Sequence, residues 1–273
     1  MKKKLPNIFI GLIFFVGLAV LLYPWLSNCY NNQVHTREIE GYTEAAAAMD
    51  DETIAAEFEA AKKYNDALNG SNLQDPYVPG SGSAIPDNYT SIFNFSNGIM
   101  GNIEIPKIDV NLPIYHGTSR KILEEGVGHM EMTPFPIGGE GNHSVITGHS
   151  GLPSATLFTD LNKLNIGDEF YINIINETFA YRVDQIKMVA PGNAKDLRPF
   201  PGEDYVTLLT CTPYGINSHR LLVRGTRIPY QSAEETNVDL AEEINSSSSW
   251  ILLIIFVIVV IAVVFRFIYK RNR

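Results

Sequence analysis

Disulfide chemistry is almost missing from this sequence: 273 residues hold only two cysteines, Cys29 and Cys211. That count excludes the disulfide framework that staples small secreted domains. Internal repeats are missing too, which excludes solenoids and propellers. Positive charge is scarce away from the ends. The formal net charge is −9, and seven cations (Lys2, Lys3, Lys4, Arg266, Lys270, Arg271, Arg273) stand at the extremes, leaving −16 for residues 5–265. So acidic a body excludes nucleic acid as a partner, because phosphate binding demands lysine and arginine. It also gives no electrostatic attraction to anionic lipid heads. No cysteine or acidic cluster accompanies His143 and His149, six residues apart, so no zinc site and no other metal or cofactor is expected.

Two stretches lack charge altogether. Leu5–Leu26 follows three lysines, and Trp250–Phe265 is sixteen apolar residues followed by a basic tail. The first is long enough for a hydrocarbon core of roughly 30 Å; the second reaches if Arg266 snorkels. With cations on both outer ends, the positive-inside rule places both termini in the cytoplasm and residues of about 30–249 outside. A cleaved signal peptide is the alternative for the first run, although no A-x-A site follows it. Leu26-Ser27-Asn28-Cys29 is similar to a lipoprotein box, with Asn28 where a small residue belongs. An extracytoplasmic domain with one unpaired cysteine, Cys211, either buries it or uses it.

Between the runs the texture changes twice. Residues 33–69 are rich in alanine and read as two helices broken at Asp50-Asp51, with Asn69-Gly70 as a C-cap. Residues 70–91 hold Gly70, Pro76, Pro79, Gly80, Gly82 and Pro86 and read as a long linker or lid. From Ile99, strands are expected at 99–105, 110–115, 129–132, 143–147, 169–174, 178–189, 205–211 and 220–228, with short helices at Arg120–Glu125 and Thr156–Leu161. Eight short strands over about 130 residues suggest a closed barrel or a sandwich. Residues 231–249, acidic and then serine-rich, read as a tether.

The chemistry gathers around Thr207-Leu208-Leu209-Thr210-Cys211 and Arg220. A strand ends at Cys211, and a turn rich in breakers leads to a second strand that starts at Arg220. If the two pair, a guanidinium returns to the cysteine, giving a nucleophile with a charge stabiliser. A lone cysteine is more often a small buried hydrophobe. His149 sits in Thr147-Gly148-His149-Ser150-Gly151-Leu152-Pro153, a glycine-flanked turn beyond a strand. By itself it is a loop histidine; opposite Cys211 and Arg220 it becomes the missing base.

These motifs resemble the sortases, the Gram-positive surface transpeptidases. Thr207–Cys211 matches their TLxTC signature, and Thr147-Gly148-His149 is similar to the stretch around their catalytic histidine. Cys211–Arg220 resembles the class C, pilus-assembling members, as does Asp75-Pro76-Tyr77 in the preceding loop. Ser150 departs from the class, which often carries arginine there. The resemblance covers about residues 90–230 and implies a mainly β fold. Its core would be an eight-stranded sortase-type barrel with short helices, preceded by N-terminal helices and flanked by two transmembrane helices. The implied segments are 1–30 (cytoplasmic tip and span), 31–90 (helices and lid loop), 91–230 (catalytic barrel), 231–249 (tether) and 250–273 (second span and basic tail). The implied reaction is cleavage of an LPxTG-like sorting signal of a pilin and transfer of the acyl group to a pilin lysine. Cys211 would be the nucleophile, His149 the proton shuttle, Arg220 the oxyanion stabiliser and Thr210 a substrate contact. Asp75, Pro76 and Tyr77 would form a lid, with Asp75 on Arg220 through a largely exposed ion pair and Tyr77 on Cys211. Three alternatives stand beside this reading. A housekeeping sortase anchors proteins to peptidoglycan. An L,D-transpeptidase is suggested by His116-Gly117-Thr118, but lacks a Ser-x-Gly-Cys-x-Arg cluster here. A non-enzymatic adhesin or pilin would need an LPxTG ahead of the last apolar run, where Asn245–Ser249 stands instead.

Overall fold

A computed structural model describes residues 4–68, 73–78, 88–95 and 97–230. The tether expected over 231–249, the second span over 250–273 and the cap at Asn69-Gly70 lie outside the described residues. Leu22–Tyr230 forms one compact unit, and the chain up to Leu21 belongs to another.

Among the described residues, two α-helices precede the sheet. Helix α1 runs without interruption over Lys4–Ala47 with Pro24 inside it, so the apolar run and the first predicted helix are one element. By length and composition α1 is able to cross a bilayer. Asp50 ends the break before α2 (Asp51–Ala67) by accepting the amide of Thr53, as expected of an acidic N-cap. Helix α2 buries Ala61 and Tyr64 against the sheet domain, and Phe58 meets Phe93 edge-on.

The sheet has eight strands: β1 (Ile99–Ile105), β2 (Val110–His116), β3 (Val127–His129), β4 (Asn142–Gly148), β5 (Glu169–Ile174), β6 (Glu177–Val189), β7 (Asp204–Thr212) and β8 (His219–Ile228). They close into a barrel in the order β1-β2-β3-β4-β7-β8-β6-β5. The pairs β2–β3 and β4–β7 are parallel; the rest are antiparallel. The third strand lies at 127–129 rather than 129–132, because it pairs in parallel with β2 (Ile114↔Val127) directly after α3 (Arg120–Glu125). No α-helix forms over Thr156–Leu161; a 3-10 turn at Leu161–Lys163 replaces it. Thr156 is held by Asn28, and the Phe158 amide donates to the His149 carbonyl, which fixes the segment as a folded loop.

Side-chain alternation divides the wall. Ile146, Leu208 and Val223, mutual partners on β4, β7 and β8, belong to the main core. The next residues out of phase, Val145, Leu209 and Leu222, form a second, smaller cluster with Met130, Val189 and Leu197. That outer cluster is where Leu73 and Tyr77 pack. Gly225 is required by closeness: a Cβ there would lie 2.5 Å from the Phe170 ring.

The loop expected over 70–91 ends inside the core. Tyr89, in a 3-10 turn (Tyr89–Ser91), is fully buried and receives the Gly117 amide on its hydroxyl at 2.9 Å. The hydroxyl also lies 3.0 Å from His129 Nδ1. Phe135 stacks on both rings. Burial pushes His129 down to about 3 and His143 down to about 4. A depressed folded value leaves the full contribution present above the unfolded value near 6.5 and removes it as pH falls below that. Stability is therefore expected to drop between pH 7 and pH 5 by about 2 kcal/mol for each of these two histidines. Urea unfolding across that range checks this, and a flat profile contradicts it.

Candidate active site

Three strand ends build the site on the outer face of the barrel wall. Strand β7 carries Thr207, Leu209 and Cys211 on one face, and its partner β8 carries Arg220 and Leu222 on the same face. Cys211 and Arg220 are direct cross-strand partners. The parallel neighbour β4 is in register with β7 through Thr147↔Leu209. Two residues further along the chain stand His149, just past the end of β4, and Cys211, so both arrive at one end of the barrel. Thr210 faces the other way: it is buried, and its hydroxyl donates to the Gly148 carbonyl at 2.7 Å. That bond braces the end of β7 against the turn that carries His149. Thr147 adds a second brace by donating to the Leu209 carbonyl at 3.1 Å.

Asp75, Pro76 and Tyr77 cover this end in a tight turn. Asp75 Oδ1 accepts the Tyr77 amide at 3.0 Å, and the Asp75 carbonyl accepts the Val78 amide. The carboxylate spans Arg220 Nε, with both oxygens at 2.9–3.1 Å, and Oδ2 also accepts the Gly192 amide at 2.9 Å. The Arg220 and Asp75 side chains are only 7% and 6% exposed. The largely exposed ion pair expected from the sequence is thus a buried one. Its depth comes from Leu73 and Tyr77 on the outer cluster, together with the loop between β6 and β7 that brings Gly192. Arg220 Nη1 completes its bonds on the carbonyls of Asn217 and His219.

Tyr77 meets His149, Arg220 and Thr147. Its ring centre lies 5.3 Å from that of His149, and Arg220 Cζ stands 5.2 Å from it. Its hydroxyl lies 2.9 Å from that of Thr147.

The covered site is electrically quiet. Burial pushes the Cys211 thiol up; Arg220 pulls it down, and Asp75 pushes it up again. Burial also lowers half-buried His149, with Glu124 pulling the other way. Both shifts favour neutral thiol and neutral imidazole. Removing the covering turn admits water and frees the Arg220 charge, and both changes favour the thiolate.

Several partners had no sequence signal that singled them out. The Gly192 amide is one backbone group in an ordinary Pro-Gly turn. Thr147 stands inside the His149 motif, but its link to Tyr77 needs the fold. Tyr214, from the β7–β8 turn, packs on Gly151, where an added Cβ would lie 3.2 Å from the ring. His116 of the His-Gly-Thr stretch is buried, with its two ring nitrogens against the carbonyls of Gly98 and Ile92, and plays a structural part.

Comparison with known proteins gives a consistent picture. A family model described as the sortase domain matches residues 103–228. The fold is similar to the crystal structure of sortase C-1 from Streptococcus pneumoniae, with 47% identity and a TM-score of 0.68 over 71% of this chain and 100% of that one. It is similar also to a pilus-related sortase C of Group B Streptococcus, with 48% identity and a TM-score of 0.66 over 71% of this chain and 97% of that one. Sortase A of Streptococcus agalactiae is 30% identical over 117 residues, 42% of this chain and 47% of the relative, so the chain spans about half that relative's length.

The buried Asp75–Arg220 pair sets the expected reactivity of Cys211. Uncovering the site would break a buried pair but rehydrate both partners, an expected cost on the order of 2–4 kcal/mol that corresponds to roughly 0.1–3% of molecules open. Replacing Asp75 and Tyr77 together with alanine is expected to speed alkylation of Cys211 by about one and a half to three powers of ten. The measurement is the labelling rate by a small alkylator without denaturant; equal rates in the two proteins contradict the covering role.

Proposed function

The chain belongs to the sortase family, and we propose that it works as a membrane-anchored cysteine transpeptidase of the pilus-assembling class. Its substrates in this reading are pilin subunits with LPxTG-like sorting signals, and its acceptor is a lysine amine of the next pilin. The observation that carries the reading is the pairing of Cys211 with Arg220 at a strand end, beside the His149 turn and beneath Asp75 and Tyr77. Similarity to class C structures over nearly their whole length supports the pilus assignment. The N-terminal part of α1 holds the enzyme in the membrane of a Gram-positive cell in this proposal, with the barrel outside.

The reaction follows from the groups present. With the turn of Asp75-Pro76-Tyr77 displaced, the Cys211 proton passes to His149 and the thiolate attacks the threonine carbonyl carbon of the sorting signal. The oxyanion that forms is held by Arg220 with backbone N–H groups. The Thr–Gly C–N bond breaks as the His149 imidazolium protonates the departing glycine amine, leaving a thioester on Cys211. The lysine amine then attacks the thioester carbonyl and gives a proton to His149. The C–S bond breaks, the thiolate returns, and the product is an isopeptide bond. Thr210 acts through the Gly148 carbonyl, fixing the spacing of the Cys211 and His149 backbones; this is a positioning role.

Co-expression with a candidate pilin tests the reading. Wild type is expected to yield a ladder of covalent multimers on denaturing gels, and Cys211→Ala none. Arg220→Lys is expected to lose roughly 10²–10³-fold in peptide cleavage, because a point charge replaces the planar fork that faces the oxyanion. Full activity in Cys211→Ser contradicts the thiolate mechanism. Cleavage of a free sorting peptide without a ladder supports transfer to another acceptor, such as peptidoglycan.

A further inference from the structure

Strand directions define one end of the barrel unambiguously. Strands β1, β4, β6 and β7 run toward the end that holds Cys211; β2, β3, β5 and β8 start there. Helix α1 lies along the wall between the two ends. Asn28 Oδ1 accepts both the amide and the hydroxyl of Thr156, and Asn31 donates to the Ser154 carbonyl at 2.7 Å, within the loop that follows His149. Further along α1, Tyr42 donates to the Met100 carbonyl and accepts the Ile175 amide, at the opposite end. The helix therefore enters the unit at the active-site end. The charge-free run ends at Leu26, about 3 Å of helical rise before Asn28 and about 8 Å before Asn31. Tyr23, Trp25 and Tyr30 are exposed around that point, as side chains of a bilayer interface are.

A second observation, independent of the helix, points to the same surface. Among the described residues from Asp51 onward, the four most exposed large apolar side chains are Ile216, Ile166, Tyr214 and Met188, from 72% for Ile216 to 58% for Met188. Tyr214 and Ile216 are in the β7–β8 turn, Ile166 precedes β5 and Met188 is next to the end of β6. All four stand at the end that holds Cys211. The next two, Tyr230 at 48% and Phe200 at 47%, stand at the opposite end, so the bias toward the Cys211 end is carried by the four largest exposures.

We infer that the active-site end of the barrel rests on the lipid surface, with Ile166, Tyr214, Ile216 and Met188 in the interfacial layer beside Trp25. The inference rests on the proposed membrane span of α1. The contact is apolar and tethered, not electrostatic, in keeping with the −16 carried by residues 5–265. The mouth over Cys211 then opens along the membrane plane.

The test uses the full chain with Cys29→Ser and Cys211→Ala, reconstituted in phosphatidylcholine vesicles that carry a nitroxide in the shallow acyl region. Single cysteines bearing an environment-sensitive fluorophore are placed by Ile166→Cys and Ile216→Cys at the active-site end. Controls are Glu140→Cys and Glu203→Cys, both exposed, at the opposite end. Quenching at 166 and 216 is expected to exceed that at 140 and 203 by about threefold or more, since interfacial groups sit roughly 5–10 Å into the layer. Raising the salt is expected to leave the difference unchanged. Equal quenching at all four positions in protein that floats with the vesicles overturns the docking and leaves the span intact. Protein that does not float with them overturns both.

Discussion

A single carboxylate organises the active-site end of this molecule. Asp75 places both oxygens on Arg220 Nε and takes the amides of Tyr77 and Gly192 besides. Those bonds tie three separate pieces of chain together: the turn at 75–78, the start of β8 and the loop after β6. Burial makes the arrangement consequential. A pair this far from water is costly to split, and the Asp75 charge works against the pull that Arg220 exerts on the thiol. The thiol beside it is pushed up and the imidazole across from it down, so the assembled site favours its unreactive protonation state.

The barrel supports this by alternation alone. Strands β4, β7 and β8 are adjacent, and every second residue on each turns outward. Inward residues such as Ile146, Leu208 and Val223 close the core, while Val145, Leu209 and Leu222 give the covering turn an apolar floor. Cys211 and Arg220 continue the outward rows at the strand ends, where the floor stops. The same two-residue period that makes the fold stable therefore delivers the reactive groups, and a register slip of one residue would bury both of them in the barrel.

Much of this is legible in the sequence because it is local. The hairpin from Tyr205 to Ile228 announces itself by β-branched runs around a breaker-rich turn, and its register follows from turn length. The helix break at Asp50 and seven of the eight strands follow from equally local patterns; the third lies at 127–129 because it pairs in parallel with β2. What is not legible depends on distant partners. Tyr89 lies in a stretch that reads as linker, yet its hydroxyl is the hub between Gly117 and His129. The segment at 156–161 has helical composition, but Asn28, 128 residues away, holds Thr156 in a loop. The depth of the Asp75–Arg220 pair depends on the β6–β7 loop closing from the side, and no pattern near Asp75 signals that. Thr210 reads as a substrate contact because it adjoins Cys211, and nothing near it signals the bond that its hydroxyl makes to the Gly148 carbonyl.

The central claim is that Asp75, by occupying Arg220 and holding the covering turn in place, keeps the Cys211 thiol protonated. The most direct measurement is the titration of that thiol by thiolate absorbance in the ultraviolet, in a Cys29→Ser background, for Asp75 and for Asp75→Ala. A lower apparent pKa is expected in Asp75→Ala, since the substitution removes a nearby negative charge, releases Arg220 and admits water. An unchanged or higher value would contradict the claim.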